Sequence, residues 1–147
     1  MKILFRTAIL AGAVAFGAVT AVAADPIKER KELMKQVGAS TKAASEFATG
    51  KTPFDEAKAG EAMQTISANA EKLPTLFPDT SKTGGETEAA PKIWEDMAGF
   101  VAAAEKMKTA AAQGVGAAAQ GIGAYKAAFG EVVKNCKSCH EAYRIKK

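Results

Sequence analysis

The stretch IGAYKAAFGEVVKNCKSCHEAY, residues 122–143, carries the clearest structural pattern in the chain. Its apolar side chains recur at steps of three and four residues, which is the period of an amphipathic α-helix. The predicted inward positions of this helix are Ile122, Tyr125, Phe129, Val132, Cys136, Cys139 and Tyr143. The pattern therefore predicts a helix near the end of the chain whose buried face includes two cysteines.

Within that helix stands Cys136-Lys137-Ser138-Cys139-His140, which contains the only two cysteines and the only histidine of the sequence. Residues three and four apart share one face of a helix, so both thiols and the imidazole lie on one turn. A C-x-x-C-H run is typical of covalent haem attachment, in which the thiols add to the haem vinyl groups and the histidine binds the iron. The motif therefore predicts a haem c site.

Three other interpretations use the same residues. A thioredoxin-like redox dithiol expects a βαβ setting, and the sequence has no strand-like segment. A structural zinc site usually takes four Cys or His ligands, whereas this motif offers three adjacent ones. The third interpretation is an ordinary disulfide, or two core cysteines, followed by a chance histidine. The specificity of the five-residue pattern favours haem over all three.

Three further helices are predicted upstream. The first opens with Asp25-Pro26, an N-cap acceptor followed by proline at the first helical position, and ends at Gly50. The second runs from near Asp55 to Pro74, and the third from Pro91 to near Gly114. The predicted inward positions are Ile27, Arg30, Met34, Val37, Thr41, Ala44 and Ala48 in the first helix, Ala59, Met63, Ile66, Ala70 and Leu73 in the second, and Ile93, Met97, Phe100, Ala104, Met107 and Ala111 in the third.

Four amphipathic helices without strands predict an all-α fold, an antiparallel four-helix bundle. Short turns join the first helix to the second and the third to the fourth, which favours antiparallel neighbours. The link over residues 74–90 is long for a compact domain. We therefore expect it to cross the bundle or to serve a function.

The N-terminus predicts export. Lys2 and Arg6 give a positive start, residues 8–22 are apolar or small, and Ala21-Val22-Ala23 matches an A-x-A cleavage site. The apolar run is short for a membrane span of about 20 residues, and no stop-transfer cluster follows it. We therefore expect a cleaved signal peptide at residues 1–23, no stable membrane anchor, and a single haem-binding bundle domain at residues 24–147 in a bacterial periplasm.

Charge excludes one class of partner. The predicted signal peptide carries two of the 20 Lys and Arg residues and none of the 16 acidic ones, so the net charge falls from +4 to +2 on cleavage. Lysines are scattered along polar faces rather than clustered. This distribution of charge does not predict a nucleic-acid-binding surface.

Several segments resemble class II c-type cytochromes, the cytochrome c′ family. They are residues 128–144, around the C-x-x-C-H motif, and IKERKELMK at residues 27–35, with GKTPFD at 50–55 and PKIW at 91–94. C-x-x-C-H occurs in all c-type cytochromes, so its position near the end of an all-helical chain is what discriminates. The resemblance covers essentially the whole mature chain and implies a left-handed antiparallel bundle, in many members dimeric.

The resemblance also implies a ligand set. It assigns thioether bonds to Cys136 and Cys139, proximal ligation of the iron to His140, and a distal site to the first helix, where Met34 occupies the family position. In the high-spin branch that position is usually bulky and apolar, and the open face admits NO or CO. In the low-spin branch, often called cytochrome c-556, a methionine there ligates the iron, and residues 31–38 look more like that branch.

Methionine on an inward stripe is also ordinary core filler, and some high-spin members carry methionine at this position without ligation. Spacing alone favours packing for Met34, whereas the family position favours ligation. Met63, Met97 and Met107 lack a matching family position, and we expect them to lie in the core.

Two arginines are further candidates for haem binding. Arg30 lies on the inward stripe and needs a partner, for which a haem propionate is an apt bidentate acceptor. Its stem could instead follow the bundle while its charge reaches water. Arg144 lies one turn past His140, where it could stabilise haem charge or be a solvated residue favoured by the helix dipole. Trp94 and Tyr143 are expected to pack in the core or at the haem edge.

The function predicted from these residues is single-electron transfer through one covalently attached haem c, with redox proteins as partners and the chain able to pair as a homodimer. An enzyme is not expected, because a chain with one histidine offers no nucleophile–base pair and no distal acid–base residue is evident for a peroxidase. The alternative is a protein that binds NO or CO at an open distal face.

Overall fold

The computed structural model describes residues 25–145, so the predicted signal peptide at residues 1–23 lies outside the described residues. The helices are α1 Pro26–Ala48, α2 Glu56–Lys72, α3 Lys92–Glu95, α4 Met97–Ala118 and α5 Ile122–Tyr143. The four long ones, α1, α2, α4 and α5, form a bundle, which confirms the predicted all-α four-helix fold. No helix in this part of the chain has the length and apolar character needed to cross a bilayer.

The ends of α1 follow the signals in the sequence. Asp25 Oδ1 accepts hydrogen bonds from the backbone N–H of Ile27 at 3.0 Å and of Lys28 at 3.2 Å, and Pro26 occupies the first turn. Gly50 has φ +75°, a conformation that other residues rarely adopt, and it follows the last turn of the helix. Both predicted boundaries of the first helix are confirmed.

The third predicted helix starts where expected but differs from the structure at one internal position and at its end. It is broken at Asp96, whose backbone leaves the helical region (φ −134°, ψ 57°) while its side chain caps α4 by accepting from Gly99 N at 3.0 Å. The helix then continues past Gly114 to Ala118, and the turn to α5 is made at Gly121, with φ +94°. Glycine at position 114 therefore does not end a helix.

Gly114 instead permits two helices to approach. A Cβ atom at this position would lie 2.8 Å from Sδ and 2.9 Å from Cγ of Met63, a side chain of α2 that is completely buried. Close packing of α2 on α4 thus requires glycine here. A glycine in a helical pattern can mark the end of a helix or a close contact between two helices. The sequence alone favoured the first interpretation for Gly114, which is wrong.

Two apolar clusters fill the bundle. The first, nearer the start of α5, includes Ala44, Phe47, Met63, Ile66, Met107, Ala111, Tyr125 and Val132. The second, nearer the end of α5, consists of Leu33, Val37, Leu73, Leu76, Phe77, Ile93, Phe100 and Tyr143. All five inward positions predicted for the second helix are buried. Ile122 is a wrong prediction, because it lies in the first turn of α5 and is 37 % exposed.

The long connection after α2 crosses one end of the bundle. It contains two short 3₁₀ turns, Leu73–Leu76 and Asp79–Ser81, and then runs alongside the residues that follow α5. Ala90 N donates to Tyr143 O at 2.9 Å, and Ile145 N donates to Glu88 O at 2.8 Å. The connection therefore packs against the C-terminal end of α5, immediately after the C-x-x-C-H motif.

Candidate haem site

The two cysteines lie between the two apolar clusters. Cys136 packs against the first cluster, with its Sγ 3.9 Å from Sδ of Met107, and Cys139 packs against the second. Both are half-buried, and no disulfide joins them. Burial raises the pKa of both thiols, so they are protonated at neutral pH. Two free thiols on one turn, facing the interior, fit the donor set that haem attachment needs.

His140 lies on the exposed side of the same turn. Desolvation lowers the pKa of its imidazole, nearby Arg144 lowers it further, and Glu88 opposes the shift. The imidazole is therefore neutral at pH 7, as an iron ligand must be. Within residues 25–145, no group of three or more His, Cys, Asp or Glu side chains could hold a metal ion.

Met34 lies on α1, a helix that contacts α5. It is half-buried and packs against the second apolar cluster, the same cluster that Cys139 contacts. Met97 of α4 also packs there and is half-buried, whereas Met63 and Met107 lie in the first cluster and are buried. The core role predicted for Met63 and Met107 is confirmed.

A groove of about 650 Å³ separates α1 from α5 next to these residues. Gly38 and Thr41 line it from α1, and Phe129 and Val133 from α5. Gly38 follows Met34 by one turn, and Val133 precedes Cys136 by one turn, so the groove adjoins the predicted site. A Cβ atom on Gly38 would meet nothing within 4 Å. Cys136, Cys139, His140 and Met34 do not line the groove themselves, so it lies beside the candidate site, and the donor set of α5 is what fits haem attachment.

Arg30 is buried, with only 4 % of its surface exposed, so the guanidinium does not reach water as one interpretation of the sequence supposed. It is held by the long connection, donating to Ser81 Oγ at 2.9 Å, Ser81 O at 3.1 Å, Leu76 O at 3.3 Å and Thr87 Oγ1 at 2.9 Å. Its Cζ also lies 4.7 Å from the centre of the Phe77 ring. Desolvation lowers its pKa, although an arginine remains charged.

Arg144 is exposed and is paired with Glu88. Its Nε donates to Glu88 Oε2 at 2.7 Å, and its Nη2 contacts the same oxygen. An isolated antiparallel bridge between Ala89 and Arg144 adds backbone pairing at this point. The long connection is therefore anchored by one arginine from α1 and by a second from the end of α5.

Sequence reasoning missed several residues that position these groups. Ser81, Thr87 and Glu88 lie in a segment without periodicity, and no local signal reveals that they bind arginines. Asp96 and Gly99 did leave a signal, because Asp-x-x-Gly is compatible with an N-cap inside an otherwise helical run. Trp94 packs at the second cluster, and its Nε1 donates to Phe77 O at 3.0 Å.

A four-helix bundle with two unpaired thiols and a neighbouring histidine on its last helix defines a haem c protein of the bundle class. A model of the family described as Cytochrome C′ matches residues 25–144. The chain belongs to the cytochrome c′ family, and its cofactor is covalently attached haem c. Members of this family are periplasmic haem proteins that carry electrons or bind gases.

Three comparisons illustrate the relationship. The chain is 43 % identical over 143 residues to a cytochrome c′ of Rhodopseudomonas palustris, and the match covers 97 % of each chain. A solved cytochrome c′ structure from that organism superposes with a TM-score of 0.79 at 42 % identity, covering 84 % of this chain and 98 % of the other. It is 37 % identical to cytochrome c-556 of Agrobacterium fabrum, covering 95 % of this chain and 93 % of the relative. The nitric oxide complex of a cytochrome c′ mutant from Alcaligenes xylosoxidans has a TM-score of 0.75 at 27 % identity, covering 84 % and 95 %.

Proposed function

We propose that this chain is a periplasmic single-electron carrier whose haem is attached through Cys136 and Cys139 and whose iron is bound by His140 and Met34. The observation that carries this proposal is the position of Met34. It is half-buried on α1, it faces the same apolar cluster as Cys139, and it adjoins the groove between α1 and α5. Met34 would supply a thioether to a haem held by Cys139 and its neighbours, because both residues pack against one apolar cluster.

The ligand set suits an electron carrier. Haem supplies a one-electron iron couple, and a His/Met pair raises its reduction potential. The soft thioether favours the reduced iron, and a ligand on each face leaves no open position for a gas. The protein contributes the holding and the tuning, because α5 supplies three of the groups from a single turn and α1 supplies the fourth.

The alternative is an iron with an open distal face that binds NO or CO. The most specific support for it is the solved Alcaligenes xylosoxidans relative, which is a nitric oxide complex, together with a cytochrome c′ among the relatives at 43 % identity. In that case Met34 packs against the haem without bonding to the iron. The two functions differ in the sixth ligand alone, so a test of Met34 separates them.

The test compares two methionines of the same cluster. Met34→Ala in the haem-loaded protein is expected to convert a low-spin spectrum to a high-spin one, to abolish the weak far-red band of iron–thioether ligation, and to permit CO binding in the reduced state. Met97→Ala is the matched control, since Met97 is also half-buried against the second cluster. It should retain the low-spin spectrum. An unchanged low-spin spectrum in Met34→Ala removes Met34 as a ligand.

The predicted processing and arginine roles belong to the same proposal. We infer that residues 1–23 are removed on export, which the mass of protein purified from periplasm would check. Arg30 and Arg144 remain proposed partners of the haem charge; Arg30 retains its Nε–H beyond the four bonds to the long connection. Replacing either arginine by glutamine should then shift the reduction potential, and an unchanged potential in both would exclude them.

A further inference from the structure

We propose that the face formed by α1 and α5 is the surface on which an acidic electron-transfer protein docks. This inference rests on the proposed function, since a docking face beside the haem matters only if electrons pass through it. The distribution of unpaired charge over the bundle and the position of the groove between these two helices point to this face.

Ion pairing leaves this face positive. Every glutamate of α1 and α5 forms an ion pair with a lysine, in the pairs Glu29–Lys72, Glu32–Lys35, Glu46–Lys51, Glu131–Lys134 and Glu141–Lys137. Among residues 25–145, by contrast, Lys28, Lys31 and Lys42 of α1 and Lys126 of α5 take part in no ion pair. Four uncompensated ammonium groups therefore remain on the two helices.

Helix α2 has the reverse pattern. On α2, Glu56 and Glu61 are exposed and form no ion pair within the described chain, while Lys58 and Lys72 of the same helix are both paired. The net charge of +2 predicted for the mature chain is thus unevenly distributed. Among the described residues, four of the unpaired lysines lie on α1 and α5 and one, Lys106, lies on α4, whereas α2 has a negative excess.

One unpaired lysine of α1 lines the groove, and one of α5 lies on the helix face that lines it. On α1 this lysine is Lys42, whereas Lys28 and Lys31 lie nearer the start of the helix and line a second depression there. On α5, Lys126 and Val133 are seven residues apart and share a face. Val133 lines the groove and is 43 % exposed. An apolar centre within a polar rim is the usual anatomy of a protein–protein interface.

Charge complementarity indicates which kind of protein would bind to the α1–α5 face. A protein with a carboxylate-rich patch would gain both affinity and a faster encounter from these lysines. A second copy of this chain would not, because a two-fold dimer through this face would bring the same lysines against each other. A homodimer, if it forms, should therefore use another surface and leave the α1–α5 face available.

The first experiment measures local charge near the haem. Reduced haem-loaded protein is oxidised by ferricyanide in a stopped-flow instrument at low ionic strength, for Lys42→Glu, Lys126→Glu and the control Lys106→Glu. Lys106 lies on α4, is exposed and forms no ion pair with a described residue, so all three variants change the net charge equally. We expect the first two to slow oxidation by about fivefold and the control by less than about twofold. Equal slowing in all three overturns the proposal.

The second experiment identifies the kind of partner. Isotope-labelled protein is titrated with poly-L-glutamate, and its sedimentation with vesicles of phosphatidylcholine and phosphatidylglycerol is measured in parallel. We expect amide shifts along α1 and α5 that Lys42→Glu weakens, and no stable vesicle binding. Vesicle binding without polyglutamate shifts would assign the face to a lipid surface and overturn the proposal, as would the absence of both.

The two proposals fail in distinguishable ways. The proposed function is contradicted if the purified protein has no haem spectrum, or if neither ascorbate nor dithionite reduces its haem. Both outcomes are seen before any lysine variant is tested. A protein with a normal, reducible haem whose Lys42→Glu and Lys106→Glu variants react alike contradicts only the docking face.

Discussion

The hydroxyl of Tyr143 donates a hydrogen bond of 2.9 Å to Oδ2 of Asp96, which joins the last turn of α5 to the first turn of α4. The other oxygen of the same carboxylate accepts from Gly99 N and caps α4. Tyr143 follows His140 by one helical turn. The segment that carries the predicted haem ligands is therefore tied to a neighbouring helix through a single carboxylate.

Replacing Tyr143 by phenylalanine tests this connection. The ring contact with Phe100, at 5.4 Å between centroids, is retained while the hydrogen bond is lost. We expect the midpoint of thermal unfolding to fall by a few degrees, because a hydrogen bond to a charged group is among the stronger kind. Gly99→Ala should have at least the same effect, since its Cβ would lie 2.5 Å from the Tyr143 hydroxyl. An unchanged melting curve for both variants would contradict this connection.

The same pair predicts a dependence on pH. The hydrogen bond from Tyr143, and then that from Gly99 N, lower the pKa of Asp96 below its ordinary value of 3.8. Stability from this carboxylate is therefore present above about pH 4 and is lost as the pH falls through the lowered pKa. The stability difference between the wild type and Tyr143→Phe should narrow in acid. A constant difference from pH 7 to pH 2 would show that Asp96 is not the group involved.

Two glycines of α4 offer a paired test of helix packing. Gly114→Ala should destabilise the protein by about 1–3 kcal/mol, because the new methyl overlaps the buried side chain of Met63. Gly116→Ala meets nothing within 4 Å and should stabilise the helix by up to about 1 kcal/mol. Chemical denaturation measures both. Two stabilising substitutions would mean that α2 and α4 are not in close contact at position 114.

The buried hydroxyl of Tyr125 predicts a change in stability at alkaline pH. Among the described residues it has no hydrogen-bond partner, and burial raises its pKa from 10.0 to about 12. Below about pH 10 the hydroxyl is protonated in both the folded and the unfolded chain, so the free energy of unfolding is unaffected. As the pH rises towards 12 the unfolded chain loses this proton first, and the free energy of unfolding falls. The loss amounts to about 3 kcal/mol in full. Tyr125→Phe should lack this loss and be no less stable at pH 7. Parallel pH curves for the two proteins would contradict the prediction.

Arg30→Lys tests the anchoring of the long connection. Lysine cannot reproduce the paired contacts with Ser81 and Thr87, so we expect a loss of at least about 3 kcal/mol and faster hydrogen exchange over residues 78–88. Ser81→Ala, which removes one acceptor side chain, is the milder control. If Arg30→Lys leaves hydrogen exchange of the connection unchanged, the guanidinium does not hold it.

These residues also show what could be predicted from the sequence. Repeating apolar positions predicted the helices, and local signals such as Asp25-Pro26 and Gly50 predicted the boundaries of α1, because both are properties of adjacent residues. The meaning of Gly114 depended on Met63, which lies on another helix. Arg30 was predicted to need an acceptor, but its partners Ser81 and Thr87 are 51 and 57 residues away in a segment without periodicity. Contacts of that kind arise only from the assembled fold.

The candidate haem site likewise combines residues that the sequence predicts directly with one whose role depends on the assembled fold. Cys136, Cys139 and His140 belong to a short motif, so their position on one turn of a helix could be derived directly, whereas the exposure of His140 beside two half-buried cysteines could not. Whether Met34 binds iron depends on how α1 lies against α5 and is not a property of either segment. A resemblance to a family supplied that hypothesis, and the shared contact of Met34 and Cys139 with one cluster supports it.

Adding CO to the reduced, haem-loaded wild-type protein is the sharpest test of iron ligation by Met34, because CO competes for the sixth position that Met34 is proposed to fill. The Soret spectrum should remain unchanged over the time in which an open haem would bind the gas. Rapid formation of the CO complex would contradict ligation by Met34 and favour a gas-binding protein.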